Sequence, residues 1–268
     1  MNLRFYLALF LPLSLMWGQQ DIPLSLNLPT TQYVKSNWAI LFTHRFADPV
    51  IGNSKNLFGL DGYASSGFGF WGSPTNIPEL NFGIYRTSDQ KTIVLTAQGV
   101  LYSEMALRSS LRFEYFKEGA RENSSTINIH EGISGWIYQL PIEYLSGSWT
   151  LGFVPTYITQ TSTGQSIFNV PLSLKYKLPN NQGFIIEFYP IPNSLRDYRV
   201  PTSTSIERSL RSGFAFGYEF RSYGHRFTLF GTNTPGTTAH QVISGNFLGV
   251  GARVSNDWGL AFNIVRLF

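Results

Sequence analysis

The feature that most constrains the fold is an alternation of apolar with polar or small residues, which recurs along most of the chain. The run LRSSLRFEYF, from Leu107, puts leucine and aromatic residues on one face and arginine, serine and glutamate on the other. The run GFAFGYEF, from Gly213, alternates glycine, alanine and glutamate with phenylalanine and tyrosine. Because successive side chains of a strand point to opposite faces, the pattern predicts an all-β chain of amphipathic strands.

Two all-β architectures share this alternation. A soluble antiparallel sandwich buries the apolar face, whereas a transmembrane barrel turns it to lipid and lines its lumen with the polar face. The alternating segments are roughly 9–12 residues long, which is the length that tilted transmembrane strands require. Aromatic residues recur near segment ends, where a barrel has its interfacial girdle. These residues are Trp71, Tyr102, Trp136, Trp149, Tyr157 and Trp258. The sequence therefore favours a single antiparallel transmembrane β-barrel.

The run WGLAFNIVRLF at positions 258–268 supports the same interpretation. It places Trp258, Phe262 and Phe268 on one apolar face, and it resembles the C-terminal signal of Gram-negative outer-membrane barrels. These three residues are predicted to form the signal for the barrel-assembly machinery. Arg266 departs from the pattern, and we expect its long side chain to reach the periplasmic interface.

Counting the alternating segments gives twelve strands. Their cores are 38–47, 64–72, 79–87, 91–103, 106–117, 133–146, 148–161, 166–178, 183–190, 210–222, 225–233 and 258–268. An even count brings both chain termini to the periplasmic side, with short periplasmic turns and mostly longer outer loops. The run FLGVGARV at 247–254 could supply a further strand, which leaves 14 strands as the alternative.

The N-terminal residues predict export. Residues 1–19 combine Arg4 with an apolar run at 5–16, which is too short for a membrane-spanning helix of about 20 residues. We therefore expect a signal peptide, cleaved between Gly18 and Gln20, followed by one barrel domain over 20–268. The polar, proline-bearing stretch 19–37 predicts a short periplasmic leader or a segment inside the lumen.

Three longer strings carry a resemblance to a known family. They are THRFADPVIGNSKNLFGLDG at 43–62, YGHRFTLFGTNTPGTTAHQV at 223–242 and the final run at 258–268. Together they resemble an outer-membrane β-barrel family described as a domain of unknown function, which is typical of Bacteroidota-like bacteria. The resemblance implies a barrel in the outer membrane and brings no established substrate.

Charged residues are expected on the inward faces of the strands. The candidates are Arg108, Arg112, Glu114, Glu143, Lys175, Lys177, Glu187, Glu219, Arg221 and Arg226. Such residues can set the ion selectivity of a pore, or they can pair and fill a narrow interior. Both alternatives stay open, and the excess of cations predicts a mild anion preference if a pore exists.

Two loop segments are candidates for closing the barrel. The first contains Asn56, Leu57, Phe58, Leu60 and Asp61, whose apolar members could constrict the lumen or form a cluster capping the rim. The second, TTAHQVISG at 237–245, predicts a short helix over the mouth, with Thr237 or Thr238 as its N-cap.

Several chemistries are excluded or disfavoured. The chain has no cysteine, so disulfides, thiolate metal sites and thiol catalysis are excluded. The four histidines lack metal-binding spacing, and we expect His44 and His225 to be ordinary hydrogen-bonded side chains. No nucleotide-binding or hydrolase motif is present, and the basic residues are scattered, which disfavours nucleic acid as a partner. The sequence thus predicts no metal, no cofactor and no enzymatic activity.

The resulting functional hypothesis is an outer-membrane barrel that forms a narrow pore or transport barrel for small solutes. The alternative is a non-conducting barrel that acts as a membrane anchor or partner for periplasmic or surface proteins. A membrane-embedded enzyme is a minor alternative, because a catalytic triad can be assembled across strands without a local motif. The expected partners are the lipid bilayer, the barrel-assembly machinery, and small solutes or periplasmic proteins.

Overall fold

A computed structural model gives the structure of the chain. It describes residues 24–32, 38–46, 50, 60, 64–74, 79–88, 91–104, 106–119, 132–159, 165–196, 199–200, 208–234, 236–244 and 258–268. The predicted signal peptide and the possible extra strand at 247–254 lie outside these residues.

The fold is a closed antiparallel barrel of twelve strands. The strands are β1 (Trp38–Phe46), β2 (Ala64–Gly72), β3 (Leu80–Thr87), β4 (Ile93–Glu104), β5 (Leu107–Lys117), β6 (Ser134–Gln139 and Ile142–Ser146), β7 (Trp149–Phe153 and Thr156–Ile158), β8 (Ile167–Asn169 and Leu172–Leu178), β9 (Gln182–Tyr189), β10 (Gly213–Ser222), β11 (His225–Thr232) and β12 (Gly259–Leu267). Each strand pairs with its neighbours in sequence, and β12 pairs with β1 to close the ring. The predicted all-β barrel of twelve strands is thus confirmed.

Little other regular structure accompanies the barrel in the described residues. A 3-10 turn covers Asn193–Leu195, a two-residue pairing joins Arg199–Val200 to Arg208–Ser209, and one helix, α1, covers Ala239–Ser244. Among the described residues, no helix is long and apolar enough to cross a membrane.

The two faces of the strands differ sharply in exposure. On β10 the side chain of Phe216 is 50% exposed, whereas that of its neighbour Ala215 is 1% exposed. The same alternation runs through the other strands, with phenylalanine, tyrosine, leucine and isoleucine on the outside. The apolar face therefore points away from the interior, as a lipid-facing barrel requires and a soluble sandwich does not.

Proline residues interrupt three adjacent strands at one level of the wall. Pro141, Pro155 and Pro171 divide β6, β7 and β8 into two pieces each, because proline has no N–H to give to the ladder. Val154 N still donates to Pro171 O at 3.0 Å, but Pro171 cannot donate in return. The hydroxyl of Thr156 donates to Val154 O instead, at 2.8 Å. The wall thus stays closed at these breaks.

Glycines on β2 and β3 make room for two large inward side chains. A Cβ at Gly67 would lie 1.9 Å from the Tyr85 hydroxyl, and one at Gly83 would lie 2.4 Å from Trp71 Nε1. The inward face of β2 is therefore small at the glycine positions, where Tyr85 occupies the space. The prediction that Trp71 belongs to an outer aromatic girdle was wrong, because alternation along β2 turns it inward, where it is 5% exposed.

Two adjacent residues on β10 test the assignment of faces. We expect Phe216→Arg to lower the free energy of unfolding by about 2–4 kcal/mol, because it puts a charge on the lipid side near mid-strand. Ala215→Arg would cost less than this if the lumen had room. Ala215 instead packs in a filled interior cluster with Leu26 and Phe230, so we expect a cost at least as large. Unfolding from lipid vesicles measures both, and an unchanged Ala215→Arg protein would contradict the filled interior.

Candidate functional site

Residues 24–32, here called the N-terminal plug, lie inside the barrel. Leu26 and Leu28 are at most 1% exposed, and Ser25 N donates to Leu28 O at 2.7 Å to close a tight turn. Leu26 and Leu28 pack with wall residues such as Tyr189 in an apolar cluster. Of the two interpretations of the 19–37 stretch, the structure therefore supports the segment inside the lumen.

The carboxylate of Glu187 on β9 binds the main chain of the plug. It accepts hydrogen bonds from the backbone N–H groups of Leu26 at 2.8 Å, Asn27 at 2.9 Å and Leu28 at 3.3 Å. The hydroxyl of Tyr189 donates to the same carboxylate. Glu187 is fully buried, so these donors replace the water that a carboxylate would otherwise bind.

The opposite wall holds the end of the plug in a similar way. Gln98 on β4 donates from Nε2 to Thr30 O at 2.8 Å and to Gln32 O at 3.2 Å. Glu143 on β6 accepts from both the backbone N–H and the hydroxyl of Thr31. The plug therefore crosses the lumen between β9 on one side and β4 to β6 on the other.

Two further wall residues bind carbonyl groups of the plug. Arg226 on β11 donates from Nη1 to Leu24 O at 2.7 Å and from Nη2 to Ser25 O at 3.3 Å. Asn263 on β12 donates from Nδ2 to Leu26 O at 2.8 Å. Most polar contacts between wall and plug thus involve the main chain of the plug.

A cluster of charges lies on the wall beside the plug. One oxygen of Glu219 lies 2.8 Å from Lys175 Nζ and 2.9 Å from Arg221 Nη2. The other oxygen lies 2.5 Å from Arg226 Nε, as an ion pair without hydrogen-bond alignment. Since Arg226 also holds Leu24, this cluster is connected to the plug.

A second ion pair lies on β5. Arg112 contacts Glu114 at 2.7 Å through Nε and at 2.5 Å through Nη2, and it donates to Gln98 Oε1 at 3.2 Å. All ten predicted lumen residues lie on inward faces, because Arg108 and Lys177 share the faces of Arg112 and Lys175. A role for any of them in ion selectivity stays a prediction.

Helix α1 closes the lumen from the end that carries the longer connections. His240 Nε2 lies 2.6 Å from Glu118 Oε1, and Gln241 Nε2 donates to the same oxygen at 3.0 Å. The His240 ring stacks on Phe116, with centroids 4.0 Å apart, and Thr238 Oγ1 lies 3.0 Å from His240 Nδ1. These contacts bury the helix against the wall.

The cap of α1 differs from the predicted one. A short helix within 237–245 is present, and Val242 N donates to Thr238 O at 3.0 Å. The side chain of Gln241 reaches back and accepts from the N–H groups of Thr237 at 3.1 Å and Thr238 at 3.3 Å. The predicted threonine cap is therefore absent, because Thr238 Oγ1 contacts His240 rather than a helical N–H. Instead, the side chain of Gln241, a residue of the helix, binds the N–H groups that precede it.

Between the plug and residues 237–239 lies a cavity of about 40 Å³, here called the chamber. Its wall comes from β1 to β5. Its lining residues are Leu24, Leu26, Asn27, Pro29, Leu41, Thr43, Arg45, Trp71, Tyr85, Val94, Thr96, Arg112, Glu114, Thr237, Thr238 and Ala239. The chamber thus lies between the plug and the start of α1, with a mixed polar and apolar lining.

Arg45 is the functional candidate that the sequence reasoning missed. Its neighbour His44 points outward, bonds Ser66 Oγ at 2.8 Å and stacks on Phe262. Arg45 consequently points inward and is 2% exposed. Alternation along β1 could have placed it inside, but Leu41 on the same face weakens the pattern.

The constriction candidates in the first outer loop fall mostly outside the described residues. This applies to Asn56, Leu57, Phe58 and Asp61, whereas Leu60 is described and exposed. Their proposed role stays a prediction.

The residues of the predicted assembly signal lie on the last strand and beside it. Phe262 faces outward against Phe42, with ring centroids 6.0 Å apart, and Phe268 is exposed. The guanidinium of Arg266 lies 5.5 Å from the Phe268 ring centre and 3.0 Å from His225 Nδ1. The geometry is compatible with an interfacial arginine, and the assembly role itself stays a prediction.

No group of three or more histidine, aspartate or glutamate side chains is arranged to hold a metal within the described part of the chain.

Comparison with solved structures finds similar but distant outer-membrane proteins. Outer membrane phospholipase A from Escherichia coli is 11% identical with a TM-score of 0.43, over 94% of this chain and 95% of that one. LpxR from Salmonella typhimurium is 10% identical with a TM-score of 0.42, over 86% and 100% of the two chains. Omp33 from Acinetobacter baumannii is 6% identical with a TM-score of 0.41, over 87% and 98%. Likenesses this distant carry no conclusion about activity.

A comparison with curated proteins gives no match. A family model described as a membrane-bound beta barrel domain matches residues 24–268, which is nearly the whole chain and includes the plug. The chain therefore belongs to this family of membrane-bound beta barrel domains of unknown function.

Proposed function

We propose that this outer-membrane protein is a gated barrel for small solutes. In the resting state the N-terminal plug closes the lumen, and a path opens when the plug leaves. The observation that carries this proposal is the polar wall behind the plug, where Glu187, Glu143, Gln98 and Arg226 bind plug main-chain groups.

A polar wall matters because it tolerates water. A hydrogen bond between wall and plug contributes only about 0.5–1.5 kcal/mol net, or about 1.5–3 kcal/mol when one partner is charged, because both groups bind water when the bond breaks. If the plug withdrew, water would solvate Glu187 and Arg226, so neither side chain would be left without hydrogen-bond partners. An apolar wall would instead favour permanent closure.

The charge on the wall indicates which solutes would pass. Cationic residues outnumber carboxylates on the inward strand faces. They are Arg45, Arg108, Arg112, Lys175, Lys177, Arg221 and Arg226, against Glu114, Glu143, Glu187 and Glu219. An excess of positive charge along a lumen favours anions over cations.

The Glu187→Gln variant tests the proposal with little change in shape. An amide keeps one acceptor but turns N–H groups toward the three plug N–H groups, so it loses the charge-assisted bonds that hold the plug. In planar bilayers we expect wild-type protein to be almost silent. We expect the variant to open at least about tenfold more often, since 1.4 kcal/mol changes an equilibrium tenfold. Its reversal potential in a KCl gradient should shift toward that of chloride.

Glu104→Gln is the matched control, because Glu104 is an exposed carboxylate outside the lumen. It should remain as silent as the wild type. A folded Glu187→Gln protein that also stays silent, even under voltage, would count against the gate.

A second candidate function, the non-conducting anchor or partner, is favoured by α1. The contact of His240 with Glu118 and the stacking on Phe116 give the lumen a second closure that does not depend on the plug. If α1 alone keeps the barrel silent, the protein would act through its surfaces, and crosslinking in native outer membranes should recover a specific partner.

A further inference from the structure

The guanidinium of Arg45 is buried in the lumen without a carboxylate in contact. It donates to Asn27 Oδ1 at 2.9 Å, Asn263 Oδ1 at 3.0 Å and His44 O at 3.1 Å, all of which are neutral acceptors. Its Nε has no hydrogen-bond partner among the described residues. Every other fully buried arginine of the described wall contacts a glutamate.

Nearby groups compensate this charge only in part. The Phe230 ring lies 4.5 Å from the guanidinium carbon, a cation–π contact. Asn27 stands between Arg45 and Glu187, because its side chain accepts from the first and its backbone N–H donates to the second. A buried charge without a charged partner in contact is costly, so a counter-ion at Arg45 would be stabilised.

Arg45 lines the chamber, and the chamber offers further hydrogen-bond donors. Trp71 Nε1 and Thr96 Oγ1 are buried and have no partner among the described residues. Glu114 also lines the chamber, but its carboxylate is engaged by Arg112. The free polar capacity of the chamber therefore consists mainly of donors, which suits an acceptor ligand of negative charge.

The size of the chamber restricts the ligand. A volume of about 40 Å³ holds one small ion and at most a few waters. A sugar, an amino acid or a lipid head group does not fit.

We propose that the chamber binds a small monovalent anion of the size of chloride, with Arg45 as its charged partner and Trp71 and Thr96 as additional donors. This site exists in the closed barrel. It does not depend on conduction, and the gate could fail its own test without affecting it.

The first experiment is crystallography of the wild-type protein in sodium bromide. We expect an anomalous bromide peak in the chamber, within hydrogen-bond distance of Arg45 Nε. Peaks confined to the surface would mean an adventitious ion only and would overturn the proposal.

The second experiment measures thermal unfolding of the refolded protein in chloride against gluconate, which is too large for the chamber, at constant ionic strength. An anion that binds only the folded state raises the unfolding temperature in a saturable way. We expect this rise in the wild type and its loss in Arg45→Met. Arg86→Met is the control, because Arg86 is exposed on the outer face of β3, and it should keep the rise.

Thr96→Val provides a test that does not remove a charge. It keeps the shape of the side chain but deletes the hydroxyl, and we expect chloride to bind at least several-fold more weakly. Equal chloride dependence in the wild type, Arg45→Met and Thr96→Val would contradict the site. If Arg45→Met does not fold, the bromide peak and the Thr96→Val variant still test the anion site.

Discussion

Replacing residues 24–32 by glycine and serine, at unchanged length, is expected to turn a nearly silent barrel into one that conducts continuously. The replacement removes Leu26 and Leu28, which fill the middle of the lumen, and the side chains of Asn27 and Thr31, which bind the wall. A flexible stretch also loses more conformational entropy when it is ordered against the wall, so it would remain bound more weakly. Single-channel recording in planar bilayers measures the change.

The control for this experiment uses the way in which the wall binds the plug. Since Ser25 contacts the wall through its carbonyl group, Ser25→Ala keeps this contact. This variant should stay silent. A folded, heat-modifiable protein with the replaced plug that shows no current would mean that α1 closes the lumen alone, and the anchor function would then be preferred.

The barrel could be predicted from sequence because the alternation within each strand shows which side chains face the interior and which face lipid. An alternating run such as that of β10 assigns Phe216 to lipid and Ala215 to the interior with no knowledge of the neighbouring strands. Neither the proline residues that interrupt three strands nor the even number of strands changes this alternation. The long alternating strands and their short turns were therefore sufficient to predict the architecture.

The plug could not be predicted to the same degree, for a physical reason. Its partners are mostly main-chain N–H and C=O groups, which every residue except proline supplies in full. Leu24, Leu26 and Leu28 alternate with Ser25 and Asn27, but so short an alternation does not tell a segment inside the lumen from one outside it. The sequence therefore left a periplasmic leader and a lumen segment as alternatives.

The sequence also could not predict which charged residues form ion pairs. Alternation places Glu219, Lys175 and Arg226 on inward faces, but it does not say which of them meet. Lys175 lies on β8 and Glu219 on β10, with β9 between them. Their contact at 2.8 Å passes Gly183 of β9, which pairs with Glu219 and has no side chain; a Cβ there would lie 3.6 Å from Lys175 Cε. The register of neighbouring strands thus decides which of the predicted lumen residues form a cluster.

That cluster leads to the second large effect, which concerns stability. Glu219→Gln should lower the free energy of unfolding by about 3–5 kcal/mol, the usual cost of removing one partner from buried ion pairs. The carboxylate faces Lys175, Arg221 and Arg226, and without it three positive charges oppose one another in a space with little water. Equilibrium unfolding in guanidinium from lipid vesicles measures the loss.

Two comparisons separate this electrostatic cause from a loss of packing. Glu104→Gln, an exposed carboxylate outside the lumen, should change the free energy of unfolding by no more than about 0.5 kcal/mol. Adding Arg221→Gln to Glu219→Gln should recover part of the loss, because it removes one of the three cations that Glu219 faces in the wild type. If the two changes are simply additive, repulsion between the cations is not the cause.

Because Arg226 also binds Leu24 and Ser25, a real electrostatic effect should loosen the plug as well, and the double variant should conduct less often than Glu219→Gln alone.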